Sequence, residues 1–87
     1  MVVCSVAQIA PGEDKTANLS TIRRLVSEAR ARGSELVVFP EYSIFTVPVM
    51  DERFLASAER LDGPVVAELA ALAVEHGIAI VCGINEA

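Results

Sequence analysis

Residues 36–41, Leu-Val-Val-Phe-Pro-Glu, constrain the fold more than any other stretch of this chain. Four consecutive apolar residues leave no alternating polar face for water. The segment therefore reads as a strand covered on both sides, the situation of a parallel sheet with helices packed on it. Pro40 has no N–H with which to continue a ladder, so the strand must end before it and Glu41 is delivered to the carboxyl edge of the sheet. In open α/β sheets that edge is where ligands bind. Glu41 is the candidate site residue, and two readings of it are open. It is a proton-transfer carboxylate, partly desolvated by Phe39, Tyr42, Ile44 and Phe45 so that its charged form is disfavoured; or it is a structural carboxylate that caps a helix or pairs with an arginine such as Arg53.

The flanking sequence supplies the rest of an α/β pattern. Residues 2–9 are β-rich and end at Ala10-Pro11-Gly12. Leu19, Ile22, Leu25, Val26 and Ala29 then recur at helical spacing, predicting an amphipathic helix over 16–32 with Gly33 at its carboxyl-terminal cap. After the strand at 35–39, residues 42–61 form a longer connection containing Pro48, with a short helix around 54–59. Asp62-Gly63-Pro64 opens another helix: Pro64 suits its first position, Val65, Val66, Leu69, Leu72 and Ala73 make its buried stripe, and Gly77 ends it. Residues 78–84 are a third strand. The order β-α-β-(α)-α-β predicts parallel neighbouring strands.

Composition bounds the class. With 87 residues the chain is one domain at most, spanning 1–87, and 53% of it is hydrophobic. A domain of this size buries only somewhat over ~60% of its unfolded surface. Much apolar surface would stay exposed in a monomer, so the chain is expected to be part of something larger and not to behave well as an isolated monomer. No run approaches the ~18 apolar residues of a membrane span, and a basic-then-apolar leader is missing; the expected compartment is the cytoplasm, with no membrane partner. The net charge of −5 opposes nucleic-acid binding, and Arg23, Arg24, Arg30 and Arg32 are interleaved with acids and apolar residues instead of forming a patch. Cys4 and Cys82 lie in apolar runs and are expected to be small buried hydrophobes, not a disulfide.

Several chemistries fail on spacing. Lys15-Thr16 follows a strand and opens a helix, but the glycines a phosphate loop needs would fall at Ile9 and Asp14, and Asp14 would set a negative charge where phosphate binds; Asp14 is better read as a helix cap or a first-turn acid. His76, the single histidine, has no metal-ligand spacing with the cysteines and suits the carboxyl end of its helix. A Cys82–His76 nucleophilic pair is disfavoured by the helix-to-strand turn between them.

Taken together, the strand at 2–8, Pro11-Gly12-Glu13-Asp14-Lys15-Thr16-Ala17-Asn18-Leu19, Leu36-Val37-Val38-Phe39-Pro40-Glu41, and Leu61-Asp62-Gly63-Pro64 leading into Gly83-Ile84-Asn85-Glu86 resemble, in order and spacing, the amino-terminal third of the nitrilase superfamily of carbon–nitrogen hydrolases. The resemblance covers the whole chain. It implies a four-layer α-β-β-α sandwich, commonly assembled into homo-oligomers. The implied activity is hydrolysis of an amide, nitrile or N-carbamoyl substrate by a Glu-Lys-Cys triad through a thioester, with no cofactor. It makes Glu41 the general base. Lys15 matches a helix-start position and Cys82 precedes the family's lysine, so neither is carried over as a triad member. The expectation is a fragment of a longer hydrolase, or a truncated product without activity of its own. The rival expectation is a noncatalytic α/β module that associates through an exposed sheet face.

Overall fold

The computed structural model describes residues 2–47 and 51–87; Pro48, expected within the long connection, lies outside the described residues. The elements run β1 (Cys4–Val6), α1 (Lys15–Ala31), β2 (Leu36–Val38), α2 (Glu52–Ala56), α3 (Pro64–His76) and β3 (Ala79–Val81). The three strands form one parallel sheet in the order β1-β2-β3, so the apolar run that ends at Pro40 supplies the central strand. Each strand is shorter than its β-rich sequence predicted. Single backbone bonds carry the pairing a little further, from Ala7 N to Val38 O at 2.9 Å and from Phe39 N to Val81 O at 2.7 Å, before Pro40 removes the next donor.

Helix α1 forms because its two ends and one face agree. Asp14 caps it, its side chain accepting from Ala17 N at 3.1 Å. Leu19, Ile22, Val26 and Ala29 are buried as the spacing requires, with Leu25 half-buried beside them. At α3, Pro64 occupies the first turn, Val65 and Leu72 are buried, and His76 ends the helix. Gly33 and Gly77, just past the two helices, take φ of +86° and +60°, conformations that a Cβ would disfavour. Helix α2 starts two residues earlier than predicted, because Asp51 accepts from Arg53 N at 2.9 Å and so caps it there.

Both long helices lie on one face of the sheet. Val37, 1% exposed, joins Ile22, Val26, Val65 and Leu72 in a single core, and Ile80, its partner in register, packs against the same cluster. Register then determines the opposite face: Cys4, Leu36 and Ala79 form one row, and Val6, Val38 and Val81 the next. Leu36 and Val38 are half-buried; the other four are exposed, Val6 at 83%. Six apolar residues on a parallel sheet thus have no cover among the described residues. The expectation that Cys4 is buried is corrected here, since Cys4 points to the uncovered face of an outer strand.

Candidate active site

Glu41 stands where the sequence puts it, just past the carboxyl end of the central strand. The turn that carries it is held from several sides. Ser43, completely buried, donates its hydroxyl to Pro40 O at 2.5 Å. Tyr42 has φ of +54°, a left-handed conformation that costs a non-glycine residue on the order of 1–3 kcal/mol. Two contacts offset that cost: the Tyr42 ring meets Phe54 edge-on with centroids 5.2 Å apart, and the Thr46 hydroxyl donates to Tyr42 O at 2.8 Å. The backbone of the segment after β3 also approaches the turn closely, at Gly83.

Phe39 and Ile44 turn into the core at 3% and 2% exposure, Tyr42 meets Phe54 edge-on, and Glu41 itself is exposed. The expected partial desolvation is therefore not supplied by these residues. The structural alternative gains no support either. Arg53 is engaged by Asp51 at 3.0 Å and by Glu13 at 2.5 Å, and hydrogen bonding from its guanidinium holds the Asp51 carboxyl below the usual carboxylate range. Among the described residues the Glu41 side chain has neither a hydrogen bond nor an ion pair. It is a carboxylate on a rigid turn, open to whatever approaches the sheet edge.

The remaining reactive groups are not gathered around it. Lys15, the first residue of α1, is ion-paired with Glu59, which is 7% exposed. A cleft of about 400 Å³ is lined by Glu13, Lys15, Phe45, Arg53, Ala56 and Ser57, but Glu41 does not line it and both of its cations already face carboxylates. Cys82 is half-buried; burial pushes its thiol up, partly countered by the Ser43 hydroxyl, and its Sγ lies 3.9 Å from Gly83 O. Its described contacts do not include His76. Among the described residues no group of three His, Cys, Asp or Glu is placed to hold a metal ion, and no helix is long and apolar enough to cross a membrane.

One residue behind the site escaped the sequence reading. Asn18 is buried, and its amide clamps two loops: Gly12 N donates to its Oδ1 at 3.1 Å, while its Nδ2 donates to Gly12 O at 2.9 Å and to Ile44 O at 2.7 Å. It thereby ties the loop after β1 to the segment just beyond Glu41. The signal was present in the spacing, because stepping back one turn from Ile22 along the apolar stripe lands on Asn18.

Comparison with known proteins places the chain in a family. The carbon-nitrogen hydrolase family profile matches residues 4–87. The chain belongs to the carbon–nitrogen hydrolase family. It is 35% identical over 79 residues to Hydrolase MT0498 of Mycobacterium tuberculosis (strain CDC 1551 / Oshkosh), and equally to Hydrolase Rv0480c of Mycobacterium tuberculosis (strain ATCC 25618 / H37Rv). Each alignment covers 91% of this chain and 27% of the relative, so the chain spans about a quarter of the length of these curated relatives. The family membership agrees with the three-stranded parallel sheet and its helices.

Proposed function

We propose that these residues are the amino-terminal part of a hydrolase that cleaves the carbon–nitrogen bond of an amide, nitrile or N-carbamoyl compound, with Glu41 as its general base. The observation that carries this is the mounting of Glu41: a carboxylate at the carboxyl end of the central strand, on a turn locked by Ser43, Tyr42 and Gly83, and without a structural partner among the described residues. A carboxylate that only stabilised the fold would be engaged, as Glu59 is by Lys15. In this reading Glu41 takes the proton of the attacking cysteine thiol and gives it to the substrate nitrogen, which leaves as amine or ammonia, for a nitrile only after water has added to the thioimidate; Glu41 then activates water against the resulting thioester. A lysine stabilises the tetrahedral oxyanion. That lysine and that cysteine come from beyond these 87 residues. Lys15 is committed to Glu59, and Cys82 is a half-buried thiol whose ionisation burial opposes.

The same reading accounts for the uncovered sheet face. Cys4, Val6, Leu36, Val38, Ala79 and Val81 would lie against a second sheet in a four-layer α-β-β-α sandwich, where that second sheet also brings cover to Glu41. The test is ammonia release by the full-length protein from short aliphatic amides, nitriles and N-carbamoyl amino acids. Glu41→Gln keeps the size of the side chain and removes the basic oxygen. It should leave the melting temperature in place and lower kcat by at least ~10²-fold. A folded Glu41→Gln protein with near-normal kcat would overturn the assignment.

A further inference from the structure

The absence of a side chain at Gly83 is what lets the turn bearing Glu41 sit where it does. A Cβ at Gly83 would lie 2.8 Å from Glu41 Cα, 3.3 Å from Tyr42 N and 3.5 Å from Glu41 C. All three are backbone atoms, so no flexible side chain can swing aside to accommodate it. Backbone-to-backbone approach of this kind is a standard reason for glycine beside a strand end. The contact joins two parts of the sheet just beyond the last rung between them, Phe39 N to Val81 O at 2.7 Å. The buried Ser43 hydroxyl, which also reaches the Cys82 thiol beside Gly83, holds Pro40 O. The turn that carries Glu41 is thus held both by this hydrogen bond and by the close backbone approach at Gly83.

We propose that Gly83 and Ser43 are positioning residues that together form a backbone seat for Glu41, fixing the distance of its carboxylate from the reacting atoms. This rests on the reading of Glu41 as a general base. Neither residue reaches the substrate; each acts only through the place it gives Glu41. Misplacing a catalytic group by about 1 Å can cost on the order of 10²-fold in rate, and relieving a 2.8 Å contact to an ordinary van der Waals separation requires a shift approaching that size.

The experiment is a double-mutant cycle in the full-length protein: wild type, Gly83→Ala, Glu41→Gln and the double variant. Gly12→Ala is the control, since a Cβ there would meet nothing within 4 Å. Activity is ammonia release from the probe turned over fastest among acetamide, butyramide, butyronitrile and N-carbamoylglycine, and the melting temperature is taken on the same preparations. Gly83→Ala should melt cooperatively and lose at least about 10-fold in kcat, with KM moving less than about twofold. That loss should disappear in the Glu41→Gln background. A folded Gly83→Ala protein with normal kcat, or an equal loss in both backgrounds, overturns the seat while leaving Glu41 as the base. Normal kcat in Glu41→Gln sinks the base assignment instead. If Gly83→Ala does not fold, Ser43→Ala carries the cycle with the same expected suppression, and an unchanged kcat refutes it. If no probe is turned over, the backbone amide resonances of Glu41 and Tyr42 decide: Gly83→Ala must shift them while Gly12→Ala does not, and unmoved resonances overturn the seat.

Discussion

Replacing Asn18 with alanine should weaken the protein out of proportion to the size of the change. The side chain is 7% exposed and makes three hydrogen bonds, to Gly12 N, Gly12 O and Ile44 O. The losses are unequal. Gly12 is exposed, so its N–H can turn to water, and its carbonyl keeps Thr46 N as a donor at 2.9 Å. Ile44 is 2% exposed, and its carbonyl is left in the core without the Asn18 donor. A stranded buried acceptor costs about 1–3 kcal/mol and each of the two remaining bonds contributes about 0.5–1.5 kcal/mol, so the expected loss is roughly 2–6 kcal/mol. Asn18→Asp should be worse at neutral pH, because a carboxylate cannot donate to either carbonyl and its charge is desolvated. That desolvation raises the folded-state pKa of the new acid above its unfolded value, so the folded protein binds the extra proton and the deficit shrinks as pH falls. The assay is urea denaturation, reading the midpoint at constant m value. A loss below about 0.5 kcal/mol for Asn18→Ala, the range of an ordinary surface substitution, would refute the clamp.

The thiols offer a readout of whether a second sheet covers the bare face. In the isolated segment 1–87, iodoacetamide should label the exposed Cys4 before the half-buried Cys82, whose raised pKa keeps it protonated, whereas in the full-length protein Cys4 should become protected; equal labelling of Cys4 in both would exclude a second sheet over this face. Val6→Lys with Val81→Lys should make the isolated segment more soluble and more monomeric by sedimentation, yet prevent folding of the full-length protein; a folded, active full-length double variant would count against burial of that face.

The sequence by itself determined what depends on near neighbours along the chain. The period of Leu19, Ile22, Val26 and Ala29 specified the buried stripe of α1, Asp14 and Gly33 its ends, and Pro64 and Gly77 those of α3. The run 36–39 with Pro40 was enough to imply a parallel-sheet strand that leaves Glu41 at its carboxyl edge; its central position came from the structure. These features were legible because helix periodicity, caps and the missing proline donor act within a turn or two of backbone.

What only the tertiary structure decided joins residues far apart in sequence. Asn18 meets the Ile44 carbonyl across 26 positions, and Lys15 meets Glu59 across 44. The approach of Gly83 to Glu41 depends on the parallel register that sets β3 beside β2. The exposure of Cys4 depends on which sheet face the helices leave bare. An apolar run states that a strand wants cover, but not which atoms provide it. Side-chain identity sets the demand for burial and hydrogen bonding, and packing between distant segments selects the partners that meet it.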